Sequence, residues 1–176
     1  TLALWQLVSL TERPDFVLTP TEVTRHDVEA LGSGELLPHV GASLAGGRWN
    51  HKGVPMVYAS EYRSLAVLEL LVHLSPSQFH AEYAFVGLEL SARAKMEELS
   101  VNEMPTDWRD TSARTQIADL GTRWVQSGGS LGLRVPSVIV SQDWNVLLNP
   151  AHPDFVAMKV SKPEPFSFDK RLWRRK

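Results

Sequence analysis

Hydrophobic and polar positions alternate with a two-residue period at the start of the chain. Leu2, Leu4 and Gln6 fall on one face and Trp5 and Leu7 on the other, so residues 1–10 read as a first strand. Residues 60–74 follow a helical period instead. Leu65, Leu68, Leu71 and Val72 form an apolar stripe, Ser60 is placed to cap it, and Ser75-Pro76 ends it. Residues 111–127 predict a second helix, with Ile117, Leu120 and Trp124 on one face and Gly128-Gly129 as its stop. A shorter helix is predicted over 21–31, opened by Thr19-Pro20-Thr21 and closed by Gly32. Further strands are predicted at 55–59, 83–90, 135–140 and 155–160, with Pro136 breaking the ladder near the start of the third. Between 32 and 53, six glycines in 22 residues mark a loop-rich stretch. Strands and helices mix without a regular βαβ rhythm. This predicts an α+β fold, one compact domain over 1–176 with a mixed sheet and flanking helices.

Composition narrows the function classes. The chain has 176 residues, enough to hide about 70% of its unfolded surface in one core. It has 0 Cys, which excludes a disulfide scaffold, a thiolate zinc site and a cysteine nucleophile. The net charge is −2, but residues 170–176 (KRLWRRK) hold five basic groups and no acid, which leaves −7 on the rest. An acidic body argues against direct nucleic-acid binding, which needs clustered Lys and Arg. No segment approaches the roughly 18 apolar residues of a membrane helix, so the expectation is a cytoplasmic protein that does not enter membranes.

Two places carry candidate chemistry. In Gly46-Gly47-Arg48-Trp49-Asn50-His51-Lys52-Gly53, paired glycines allow close backbone approach. Arg48 there offers a planar fork for phosphate or carboxylate, and Trp49 an apolar wall. The same residues also fit a glycine turn with a surface Arg. The segment is neither a Walker loop nor a dinucleotide fingerprint. The second place is Glu69, which shares a helical face with Leu65 and Val72. A carboxylate between core and solvent has either a task or a partner, and His73 at i+4 is a candidate partner. No H-E-x-x-H or other ligand spacing supports a metal, and no G-x-S-x-G supports a serine hydrolase.

Taken together, Gly47-Arg48-Trp49-Asn50, Gly53-Val54-Pro55-Met56-Val57-Tyr58-Ala59-Ser60 and Ser64-Leu65-Ala66-Val67-Leu68-Glu69 resemble the RES domain. Val135-Pro136-Ser137-Val138-Ile139-Val140 and Asn145-Val146-Leu147-Leu148-Asn149-Pro150 are similar to the closing pattern of that family. The resemblance implies a fold similar to ADP-ribosyltransferases and a toxin of a bacterial toxin–antitoxin pair. It implies NAD as substrate, with no cofactor and no metal. The activity implied is hydrolysis or phosphorolysis of NAD, or transfer of ADP-ribose to a protein; a non-catalytic binding module is the remaining alternative. The partner implied is an Xre-like antitoxin, with a helix-turn-helix and a region that covers the active site. Arg48, Tyr58, Glu69 and Ser137 would be the catalytic residues, with Arg48, Tyr58, Trp49 and Asn149 at the substrate. Many members carry Arg in the first strand where this chain has Gln6, which removes one candidate for the pyrophosphate contact.

Overall fold

The computed structural model describes residues 1–9 and 45–173. The helix predicted over 21–31 and the first part of the glycine-rich stretch lie outside the described residues.

The opening alternation forms β1 (Leu2–Ser9). β2 (Val57–Ser60) follows the Arg48 loop, and α1 (Arg63–Leu71) follows β2. β3 (Tyr83–Leu90) has the predicted bounds. After β4 (Met96–Glu98) a turn at Thr111–Ala113 leads into α2 (Arg114–Ser127). β5 (Gly132–Pro136) and β6 (Trp144–Leu148) come next, then β7 (Lys159–Val160) and β8 (Glu164–Phe166).

These strands form one sheet in the order β4-β5-β6-β2-β1-β3-β7, with β8 also paired to β3. Among the described strands, only β4 and β5 run parallel. The mixed sheet bears out the α+β expectation. β1 and β3 pair antiparallel over their full length, from Leu2 opposite Leu90 to Ser9 opposite Tyr83.

Side-chain alternation sorts the core onto the two faces of the sheet. Leu4, Val8, Val57, Ala59, Val86, Leu88 and Val146 pack together on one face. Leu7 and Phe85 point the other way and meet Ala66 and Leu70 of α1. Beside them on that second face, Leu133, Val135 and Leu147 meet Ile117, Trp124 and Val125 of α2. The two helices therefore lie on the same side of the sheet.

Several boundaries depart from the sequence expectation. Ser60 does not cap α1: it ends β2, its hydroxyl donates to Asn145 Oδ1 at 2.6 Å, and the helix begins after Tyr62. β5 ends at Pro136 instead of crossing it, because proline has no N–H for the ladder. Residues 137–140 turn around the Ser137 side chain. Phe155 lies in a 3₁₀ turn (Pro153–Ala157), and only Lys159–Val160 of the predicted last strand is extended in the sheet. Gly128 stops α2 as expected, in the left-handed conformation at φ 60°.

Candidate active site

The Arg48 loop is held by its own backbone and by two neighbours. Gly46 sits at φ 72° and Gly53 at φ 90°, values that glycine adopts without strain. Between them, Gly47 N–H donates to Asn50 O at 2.9 Å, and Asn50 Nδ2 donates to Val54 O at 2.9 Å. The first neighbour is Tyr58 on β2. Its hydroxyl donates to Asn50 Oδ1 at 2.6 Å and accepts from Trp49 N–H at 3.0 Å. Burial pushes the Tyr58 phenol well above the usual tyrosine range, so it stays protonated for this task. The second neighbour is α2. His51 N–H donates to Thr122 Oγ1 at 3.1 Å, and the His51 ring meets Asp119 at 2.6 Å.

The close approach that the paired glycines allow is internal. A Cβ on Gly47 would stand 2.4 Å from the Tyr58 hydroxyl. Likewise, a Cβ on Gly121 of α2 would stand 2.0 Å from the Trp49 carbonyl oxygen. The loop is thus pinned between β2 and α2, which sets the position of Arg48.

Arg48 is half-buried, and its Nη2 donates to the Trp108 carbonyl. Burial lowers its pKa, the Glu69 charge raises it and the Arg114 charge lowers it again; the net direction is downward. Its Nε is a buried donor without a partner among the described residues, as the Oε1 of Gln6 is an acceptor without one. Gln6 is 5% exposed, and its Nε2 donates to Tyr58 O at 2.6 Å.

Glu69 projects from α1 toward the turn after β5. Its Oε1 accepts from Ser137 Oγ at 2.7 Å and from Asn145 Nδ2 on β6. Ser137 is fully buried, and its oxygen also accepts from Ile139 N–H and Val140 N–H, each at 3.1 Å. The chain Ser60–Asn145–Glu69 thus ties the carboxylate to two neighbouring strands, and Ser137 fixes it from the turn after β5. His73 is not the partner of Glu69; it stands separately on the cavity wall.

These groups surround a cavity of about 350 Å³ that opens between α1 and the N-terminal end of α2, above β1, β2 and β6. Of the sequence-predicted residues, Arg48, Trp49, Tyr58 and Glu69 line it. Ser137 stands behind Glu69 with its hydroxyl fully engaged. Asn149 lies elsewhere: its Nδ2 donates to Val125 O at 2.9 Å and its Oδ1 accepts from Ala151 N–H at 3.0 Å. That buried amide fastens α2 to the end of β6, so its predicted place at the substrate gives way to a structural one. Asn145 and Arg114 line the cavity without having been singled out. Asn145 had a signal, a polar residue opening the apolar run Val146-Leu147-Leu148. Arg114 had none, since an arginine in the first turn of a helix is ordinary. Among the described residues no three His, Asp or Glu side chains gather as a metal site.

The arrangement presents a fixed carboxylate at one wall and guanidinium groups at another. Such a cavity suits a ligand with a developing cation at one end and an anion at the other.

The chain is 41% identical over 133 residues to the protein named Toxin Res of Yersinia enterocolitica, covering 75% of this chain and 87% of that one. It is 37% identical over 141 residues to a Sphingobium protein named Prs ADP-ribosylating toxin, covering 79% of this chain and 88% of that one. In three dimensions it is similar to a chain of the Mycobacterium tuberculosis MbcT-MbcA toxin-antitoxin complex. The TM-score is 0.60 at 12% identity, over 94% of this chain and 84% of the other, a likeness of fold. The family model for the RES domain matches residues 23–169, the stretch that holds Arg48, Tyr58, Glu69, Ser137 and Asn145. That span and the identities beside it settle the kinship on which the motifs first touched: the chain belongs to the RES domain family.

Proposed function

We propose that this protein is the toxin of a toxin–antitoxin pair and that it cleaves the nicotinamide–ribose bond of NAD. The observation that carries the reading is Glu69, half-buried in a cavity wall, with one oxygen fixed by Ser137 and Asn145. Breaking the bond between nicotinamide and C1′ leaves positive charge on the ribose ring, as in glycoside cleavage. A carboxylate already held in place stabilises that charge without reorganising. The bonding electrons leave with nicotinamide, which departs neutral, so no second acid is needed. Water or phosphate then attacks C1′, giving hydrolysis or phosphorolysis. Arg48 holds the phosphate end, and Tyr58 acts by holding the Arg48 loop.

The names of the relatives support the toxin assignment, and the neighbour solved as a toxin–antitoxin complex supports an antitoxin partner. We take that partner to be Xre-like and to cover this cavity. Transfer of ADP-ribose to a protein is the second reading, favoured by the Sphingobium relative named as an ADP-ribosylating toxin.

Incubation of the purified chain with NAD labelled in its adenylate half tests both. Label lost to small molecules together with free nicotinamide supports cleavage; label retained on protein supports transfer. Glu69→Gln is expected to lower either rate by ~10²–10³ while the fold persists. Turnover near wild type in a folded Glu69→Gln protein would refute the role of the carboxylate in both.

A further inference from the structure

The cavity has a second guanidinium for which the reading above gives no task. Arg114 is the first residue of α2 and is exposed at the cavity wall with Thr111 of the preceding turn. Arg48 lines the same cavity from the loop. Among the described residues, neither arginine has a carboxylate within ion-pair distance, and Arg114 has no hydrogen-bond partner at all. Arg48 uses one nitrogen on Trp108 and keeps its Nε unbonded. The two cations are close enough for the charge of one to disfavour that of the other. The first turn of α2 contains no acidic residue, so the positive end of that helix has no counter-charge within its own turn.

Among the described residues, Glu69 is the one carboxylate lining this cavity, and its Oε1 is already taken by Ser137 and Asn145; a ligand with two adjacent negative groups offers each guanidinium a counter-charge of its own. We propose that Arg114 is an anion-binding residue of this site, which together with Arg48 takes the pyrophosphate of a dinucleotide. Each guanidinium faces one phosphate, since a planar fork matches two phosphate oxygens at once. A diphosphate bridge offers each of them a phosphate of its own, so the site favours a diphosphate over a monophosphate, and nicotinamide mononucleotide is the poorer ligand. This assignment rests on the NAD reading for the identity of the ligand, but the anion site can be measured apart from it.

The test is calorimetric titration of the full chain with inorganic pyrophosphate and, separately, orthophosphate, followed by NAD kinetics. Losing one charge-assisted contact is expected to weaken pyrophosphate binding about tenfold in Arg114→Gln, with Arg114→Lys in between. Orthophosphate binding is expected to change by less than about twofold, because Arg48 alone suffices for it. The KM for NAD is expected to rise about tenfold with kcat nearly unchanged, the mark of a contact made equally in ground and transition states. Arg123→Gln removes an exposed charge from the same helix away from the cavity and controls for net charge. Pyrophosphate affinity unchanged in Arg114→Gln, or lost equally in Arg123→Gln, overturns the proposal; so does wild-type protein that does not bind pyrophosphate. Pyrophosphate binding that depends on Arg114, in a protein that leaves NAD intact, keeps the anion site and rejects the NAD reading.

Discussion

Replacing Gly121 with alanine adds one methyl group to α2, on the side where the Arg48 loop rests. The new Cβ would sit 2.0 Å from the Trp49 carbonyl oxygen, where ordinary contact begins near 3.4 Å, and the obstacle is backbone. The loop must therefore retreat by roughly 1.4 Å, or the helix must move. Overpacking of this kind costs about 1–3 kcal/mol, and the better helix propensity of alanine returns about 1 kcal/mol. The net loss is then about 0–2 kcal/mol, a fall in Tm of at most roughly 8 °C for a chain of this size. The effect on activity is larger than the effect on stability. Arg48 is adjacent to Trp49 and moves with it, and a misplacement of about 1 Å can cost ~10² in rate. The measurements are a thermal melt and NAD consumption by the same preparation. Gly121→Ala is expected to stay folded and lose most of its activity. Wild-type turnover with an unchanged Tm would show that the helix–loop contact does not set the position of Arg48.

Three other outcomes follow from the same bonds. Tyr58→Phe removes the hydroxyl that bridges Asn50 and Trp49, and is expected to cost about 1–3 kcal/mol in a denaturant melt; Tyr58→Ala, which also loses the ring, is expected to cost more. The raised Tyr58 pKa means that above the ordinary value of 10.0 the unfolded chain releases a proton that the folded chain keeps. Stability is therefore expected to be full below pH 10.0 and to fall as pH rises further, with a shallower fall in Tyr58→Phe, read as Tm against pH. Ser137→Ala leaves two backbone N–H groups and Glu69 each short of one bond. It is expected to lower both Tm and turnover, whereas Ser137→Thr, which keeps the hydroxyl, retains more of each.

The long periodic elements were legible in the sequence and the short ones were not. Tyr83–Leu90 is a run of mostly apolar residues bounded by polar ones, and its strand matches residue for residue. β4, β7 and β8 have three, two and three residues, too few for any period to show. They exist because a partner strand offers hydrogen bonds, which is a tertiary fact. The site divides in the same way. Glu69 stood out because a carboxylate on an apolar helical face has an electrostatic cost visible along the chain. Its true partners, Ser137 and Asn145, lie 68 and 76 residues away, and nothing local joins them to it. His73 was the nearby alternative, and proximity in sequence misled. Asn149 misled for the opposite reason. A buried polar residue reads the same whether it serves a ligand or fastens a helix, and only its bonds to Val125 and Ala151 tell.

The separation of Glu69 from its two partners also has a meaning in time. A ribosome adds ~5–20 residues per second, so the 76 residues between Glu69 and Asn145 take roughly 4–15 s to synthesise. Throughout that interval α1 can form, but the strands that fix its carboxylate do not yet exist. On the function proposed above, the growing polypeptide is expected to be inactive until β6 has left the exit tunnel. An antitoxin of the kind proposed above, made alongside it, would gain seconds of head start on every molecule. Nascent chains stalled before Gly132 and the released protein offer the comparison: the first should leave NAD untouched, and activity in them would mean that α1 works without β6 and the turn after β5.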